Sequence, residues 1–304
     1  MGDIFGIIIV RPFGMILSAI YKAVGSYGLA VILFAVLAKL ILMPLAYKNK
    51  KSMKKMQALS TKQQELQKKY GKNRERLNEE ITKLYEKEGV SPMSGCLTTF
   101  IQLPIMMALY YAVQKPLTYM IGLYEADIAG LASLVGVEMT TQNQYTVQLT
   151  IAEALNKFVD AAGNFGAEVQ SALATKGIID YMFPINFEFM GLNLAQTPSF
   201  KDPSILWLIT ILSGLTALLS TIAMQKMQGT SNQMQGSMKA MLYMMPLMSV
   251  YFGFILPSSI GIYWITNNLL SIVQEFLLQQ ITKNQEVNLV SDAGKKKKKK
   301  KEEA

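Results

Sequence analysis

The 304-residue chain contains no histidine and a single cysteine, Cys96. Disulfides and His-dependent catalysis are thereby excluded, and too few soft ligands remain for a zinc or haem site, so no metal or other cofactor is expected. A glycine-rich phosphate loop is absent as well. Acids are missing inside the long apolar runs, where the nearest is Glu275, close to the end of the last one. An intramembrane protease would lack a catalytic base here, and the chain is not expected to be an enzyme. No Lys or Arg precedes Arg11 and no cleavage site is evident, so a secretory signal is not expected; with no cysteine nearby, neither is a lipid anchor.

What the chain has is apolar surface: 51% hydrophobic residues, a mean hydropathy of +0.23 and 20 methionines. That composition points to a membrane protein. A helix needs about 20 apolar residues to cross the hydrocarbon core. Five stretches qualify, at 27–47, 97–122, 205–225, 240–256 and 258–280, the last two meeting at Pro257 in a very short turn.

The connecting segments carry their own patterns. Residues 1–26 set Ile9, Phe13, Ile16, Leu17, Ile20 and Val24 at helical intervals away from Arg11 and Lys22, as in an amphipathic helix on the outer membrane surface; a span broken by Arg11 and Pro12 is the alternative. Residues 48–92 carry the stripe Met56, Leu59, Leu66 and Tyr70, then Leu77, Ile81 and Leu84, with Gly71 and Asn73 as the turn. This reads as a helical hairpin in water, a single solvated helix being the alternative. The fold class is therefore all-α, a polytopic membrane protein of five transmembrane helices.

Orientation follows from the excess of positive charge in cytoplasmic loops. Thirteen Lys and Arg lie in 48–92, whereas the loop after the second span has Lys157, Lys176 and Lys201 against nine acids. The hairpin and the short loop 226–239 are then cytoplasmic, and the loop 123–204 is outside. Five crossings put the N-terminus outside and the basic tail 281–304 in the cytoplasm. Within the outer loop, Leu149, Leu155, Phe158 and Val159 predict one or two helices lying on the outer membrane surface.

Lys39 falls near the middle of the first span, where a charge costs about 2.5 to 3.5 kcal/mol on insertion scales. No acid inside a span is available to pair with it, so it should face protein or water in a wet, positively charged cavity. The polar residues on the other spans, such as Gln102, Thr210, Ser213, Asn267 and Asn268, serve either such a cavity or simple helix-to-helix hydrogen bonding. An ion or solute transporter using Lys39 is the alternative function, although neither inverted repeats nor broken midplane helices are evident. Among the methionines, Met53, Met56 and Met234 in the cytoplasmic loops are candidates for contact with varied apolar substrates; core packing accounts for most of the others. The run Lys295, Lys296, Lys297, Lys298, Lys299, Lys300 and Lys301 should be disordered, and its charge suits ribosomal RNA or anionic lipid headgroups, or else solubility and topology.

Three stretches, "SYGLAVILFAVLAKLILMPL", "SPMSGCLTTFIQLPIMMALYYAV" and "PSSIGIYWITNNLLSIVQEFLLQQ", resemble core spans of the YidC/Oxa membrane protein insertases. The resemblance implies a hydrophilic groove open to the cytoplasm and to lipid, with its one cation at Lys39, where most members carry arginine. It also implies that Gln102 and Trp264 line that groove, with Asn267 nearby. By the same resemblance the protein would act as a monomer in the bacterial cytoplasmic membrane on newly made membrane proteins. Its partners would be the Sec translocon and a ribosome docked at the basic tail. The stretch 138–180 looks inserted relative to the family, and the lack of a large domain before the first span departs from its typical diderm members.

Overall fold

In the computed structural model the residues described are 6–71, 73–88, 94–140, 143–160, 163–228 and 237–302. Side chains are described for all of these except 56, 60, 61, 74, 94–103, 237–242, 245 and 283–302. The chain divides into two compact units, one of Met1–Lys39 with Pro104–Ser271 and one of Leu40–Leu103 with Ile272–Ala304.

In the first unit, a π-helical turn at Gly6–Val10 leads into α1, Arg11–Val24. Pro12 has no N–H to offer the preceding turn, and just before it, at Gly6–Val10, the backbone is π-helical, with Val10 already in the right-handed helical conformation. Gly25 closes the helix at φ 69°, its N–H bonded to the Tyr21 carbonyl. Only Gly14, Leu17, Ser18 and Tyr21 of α1 are buried, a single face. The following helix, α2, runs Tyr27–Ala58 without a stop. Ala30, Val31, Phe34 and Ala35 point inward from its first-unit part, while Leu29, Leu33 and Leu37 are exposed.

In the second unit, α3 (Ser60–Tyr70) and α4 (Arg74–Glu88) lie side by side. Gln63 Nε2 donates to Tyr85 Oη at 2.9 Å, and Lys62 pairs with Glu88 at 2.8 Å. The Asn73 carboxamide accepts from the Arg76 N–H, which starts α4 where the turn was expected.

Helix α5 spans Ser94–Gln114 and stops before Pro116; the expected span to 122 finishes instead as a separate π-helical turn, Leu117–Ile121. Proline has no N–H to continue the ladder and restricts the residue before it, so the stop belongs at Lys115. The outer loop then folds into α6 (Glu125–Leu134), α7 (Val147–Asn156) and α8 (Ala167–Thr175). Leu149, Ile151, Leu155 and Leu173 are buried in the main apolar cluster with Phe187 and Leu194, and only Phe158 of the expected stripe is exposed. The apolar faces of these helices are covered by protein, unlike surface helices resting on lipid. A two-strand ribbon follows, β1 (Glu188–Phe189) and β2 (Leu192–Asn193), turning through Met190 and Gly191, both at positive φ.

Helices α9 (Trp207–Gln228) and α10 (Ser237–Gly253) pack through small and polar residues. Thr210 Oγ1 donates to the Gly253 carbonyl at 3.1 Å, the Ser213 and Ser249 hydroxyls bond at 2.9 Å, and a Cβ on Gly214 would lie 2.3 Å from Val250. Leu208, Ile211, Leu212, Leu215 and Leu219 of α9 are exposed. This reverses the soluble pattern and is that of helices solvated by lipid. Finally α11, Ser258–Glu302, continues as helix through the lysine run. The side chains of 283–302, which include the lysine run, lie outside the described residues.

Among the described residues, Gly6–Val24, Tyr27–Lys55 and Trp207–Gln228 are long and apolar enough to cross a membrane. The first fits the broken-span alternative by length and the surface helix by its one-sided burial.

Candidate functional site

Lys39 lies four residues beyond Ala35, so it continues the inward face of α2 by one turn. It is half-buried. Its Nζ donates to Ser271 Oγ at 2.8 Å, and that hydroxyl donates in turn to the Asn267 carbonyl at 2.7 Å. Among the described residues no carboxylate lies within ion-pair distance of Lys39. An ammonium has three donors and a serine hydroxyl occupies one of them, leaving the charge itself uncompensated.

The partner face on α11 is set by helical spacing. Trp264, Asn267 and Ser271 follow at three and four residues and share one side, while Leu269, Val273, Phe276 and Leu277 are exposed on another. Trp264 is half-buried, its ring 6.3 Å from that of Phe252. The neighbouring Asn268 turns to α9, donating to Thr216 Oγ1 at 3.3 Å. Of the expected site residues, Lys39 thus meets Ser271, whose hydroxyl returns to the backbone carbonyl of Asn267 on its own helix, while the Asn267 side chain takes no part in this link and Trp264 stands one turn before Asn267 on the same face. Gln102 lies in α5 with its side chain outside the described residues. Met53 is half-buried on α2; the Met56 side chain and the whole of Met234 fall outside the described residues, as do the side chains of Lys295–Lys301.

Ser271 escaped the sequence reading, although its position four residues after Asn267 was a usable signal. A second omission lies in the other unit. Lys50 and Glu275 form an ion pair with both side chains buried. In the same unit Gln274 Nε2 lies 3.6 Å from Met43 Sδ. Lys50 had been one basic residue among thirteen, and Glu275 an acid near a helix end.

This geometry joins the comparisons with known proteins. The family model described as "60Kd inner membrane protein" matches residues 19–200 and 194–286. Over 275 residues the chain is 28% identical to a membrane protein insertase YidC of Alkalihalophilus pseudofirmus, covering 88% of this chain and 79% of the relative. The insertase MisCA of Bacillus subtilis is 26% identical, with 91% and 81% covered, and the YidC insertase of Fusobacterium nucleatum is 25% identical, with 87% and 92% covered. A match across nearly the whole chain, together with apolar helices that turn their leucines outward, makes this a membrane-embedded protein of the 60Kd inner membrane protein family, the YidC/Oxa insertases.

Proposed function

We propose that the protein is an insertase and foldase of the bacterial cytoplasmic membrane, acting on newly made membrane proteins through a hydrophilic, positively charged groove. The observation that carries this reading is Lys39, on the inward face of an apolar helix, held by a hydroxyl and by no described carboxylate. Five spans cross the bilayer, the α3–α4 pair stands in the cytoplasm, the N-terminus is outside and the C-terminus inside. This topology rests on the charge counts of the loops.

The groove shortens the hydrocarbon distance that a polar tail must cross, and Lys39 attracts acidic residues in that tail, with Gln102, Trp264 and Asn267 lining the path. The apolar part of the substrate slides along the exposed leucines into lipid, where burial at about 25 cal/mol per Å² drives completion. The protein supplies a path and no bond is made or broken, so neither nucleotide nor cofactor takes part. It acts as a monomer, alone or beside the Sec translocon, with the basic tail meeting ribosomal RNA or anionic lipid and the loop methionines Met53, Met56 and Met234 contacting substrate.

Liposomes reconstituted with the protein test the reading. A short single-span substrate inserts without ATP and entrapped ions stay inside. Ion-selective flux without insertion would favour a transporter that uses Lys39.

A further inference from the structure

Two adjoining cavities open where the N-terminal π-turn and α1 meet the segment after α5. One, of about 170 Å³, is lined by Arg11, Thr118, Tyr119 and Tyr124; the other, of about 540 Å³, by Lys115, Tyr119, Tyr124, Glu125 and Gln148. Their common wall is firm. A Cβ on Gly14 would lie 2.3 Å from the Tyr119 carbonyl oxygen, so α1 is seated directly on this backbone. Gln148 is buried, donating to Thr118 Oγ1 at 2.8 Å and accepting from the Thr118 N–H at 3.1 Å, which fixes the floor and uses its polar atoms.

The two cations differ from that floor. Among the described residues neither Arg11 nor Lys115 has a carboxylate within ion-pair distance, the neighbouring Glu125 included. Beside the cavities Ile7, Ile8 and Met15 are each at least 60% exposed. Lys115 directly follows the last residue of α5, so the cations stand at a helix end with bare apolar side chains next to them. A guanidinium fork and an ammonium suit phosphate oxygens, and exposed isoleucines suit acyl chains.

We propose that these cavities bind a phosphate group, supplied by the headgroup of a phospholipid whose chains lie along Ile7, Ile8 and Met15. Which leaflet supplies it depends on the orientation proposed above; the binding does not. Native mass spectrometry of the full chain in detergent with added phosphatidylglycerol reads it out. Arg11→Gln and Lys115→Gln each weaken retention roughly fivefold. Lys115→Arg restores it, and the exposed Lys157→Gln leaves it unchanged, with thermal melting alike in all. Equal retention by the Arg11→Gln/Lys115→Gln double variant, or an equal loss in Lys157→Gln, overturns the site. Displacement of the lipid by an equal concentration of glycerol phosphate in the parent overturns the lipid assignment in favour of a free phosphate ligand. Insertion activity does not enter this measurement, so its failure and that of the insertase reading are separate results.

Discussion

Lys39 and Lys50 both stand on α2, yet the first meets the hydroxyl of Ser271 whereas the second is enclosed with the carboxylate of Glu275. The second arrangement is a structural tie: its charges cancel, and neither side chain is open to a ligand. The first leaves a charge to act at a distance, at the energetic cost of holding it within an apolar helix. Residue type alone does not separate these roles; the partner does.

Breaking the tie gives the largest expected effect. Lys50→Met strands the Glu275 carboxylate in a buried site and destabilises the protein by about 3 to 5 kcal/mol, whereas Lys50→Met combined with Glu275→Leu recovers most of the loss. Thermal unfolding of the variants in detergent measures both, and a double variant as unstable as the single one contradicts the tie.

The opposite is expected at Lys39. Lys39→Met lowers insertion of acidic-tailed substrates on the order of tenfold, about 1.4 kcal/mol of lost attraction. It leaves neutral-tailed substrates alone and does not reduce thermal stability, since an uncompensated charge has been removed. Equal insertion of the two substrate classes by this variant would remove Lys39 from the mechanism.

Ser271→Ala sharpens the contrast further, because the hydroxyl orients the ammonium without neutralising it. A loss of about 0.6 kcal/mol, the average for such bonds between membrane helices, is expected in the melting profile, with substrate preference retained.

The smallest effect belongs to the exposed Lys62–Glu88 pair between α3 and α4. The Lys62 ammonium, by hydrogen bond and charge, holds the Glu88 carboxyl below the usual glutamate range. A depressed folded value means the link contributes above the unfolded pKa and is lost as pH falls through the folded one. Fluorescence energy transfer across α3 and α4 should therefore be steady at neutral pH and weaken only in acid, with salt reducing the difference.

How much of this was legible beforehand depended on the range of the signal. The turn at Gly71 and Asn73 was readable because a carboxamide cap acts within three residues. The inward placement of Lys39 was readable because its cost in lipid is large. The end of α5 was overrun because the apolar pattern continues past Pro116 while the backbone ladder does not. In the outer loop, Leu149 and Leu155 announced an amphipathic helix but not what would cover it, since lipid and a protein core ask for the same stripe.

By itself the sequence determined the apolar helices, the membrane class, the presence of a cation within one of them and the family, all of which rest on periodicity, charge and motif read along the chain. Only the tertiary structure decided that Ser271 receives Lys39 and that Glu275 receives Lys50, pairings separated by 232 and 225 positions. Partner choice at that distance is set by which helix faces pack together, and a local pattern names a face without naming its neighbour.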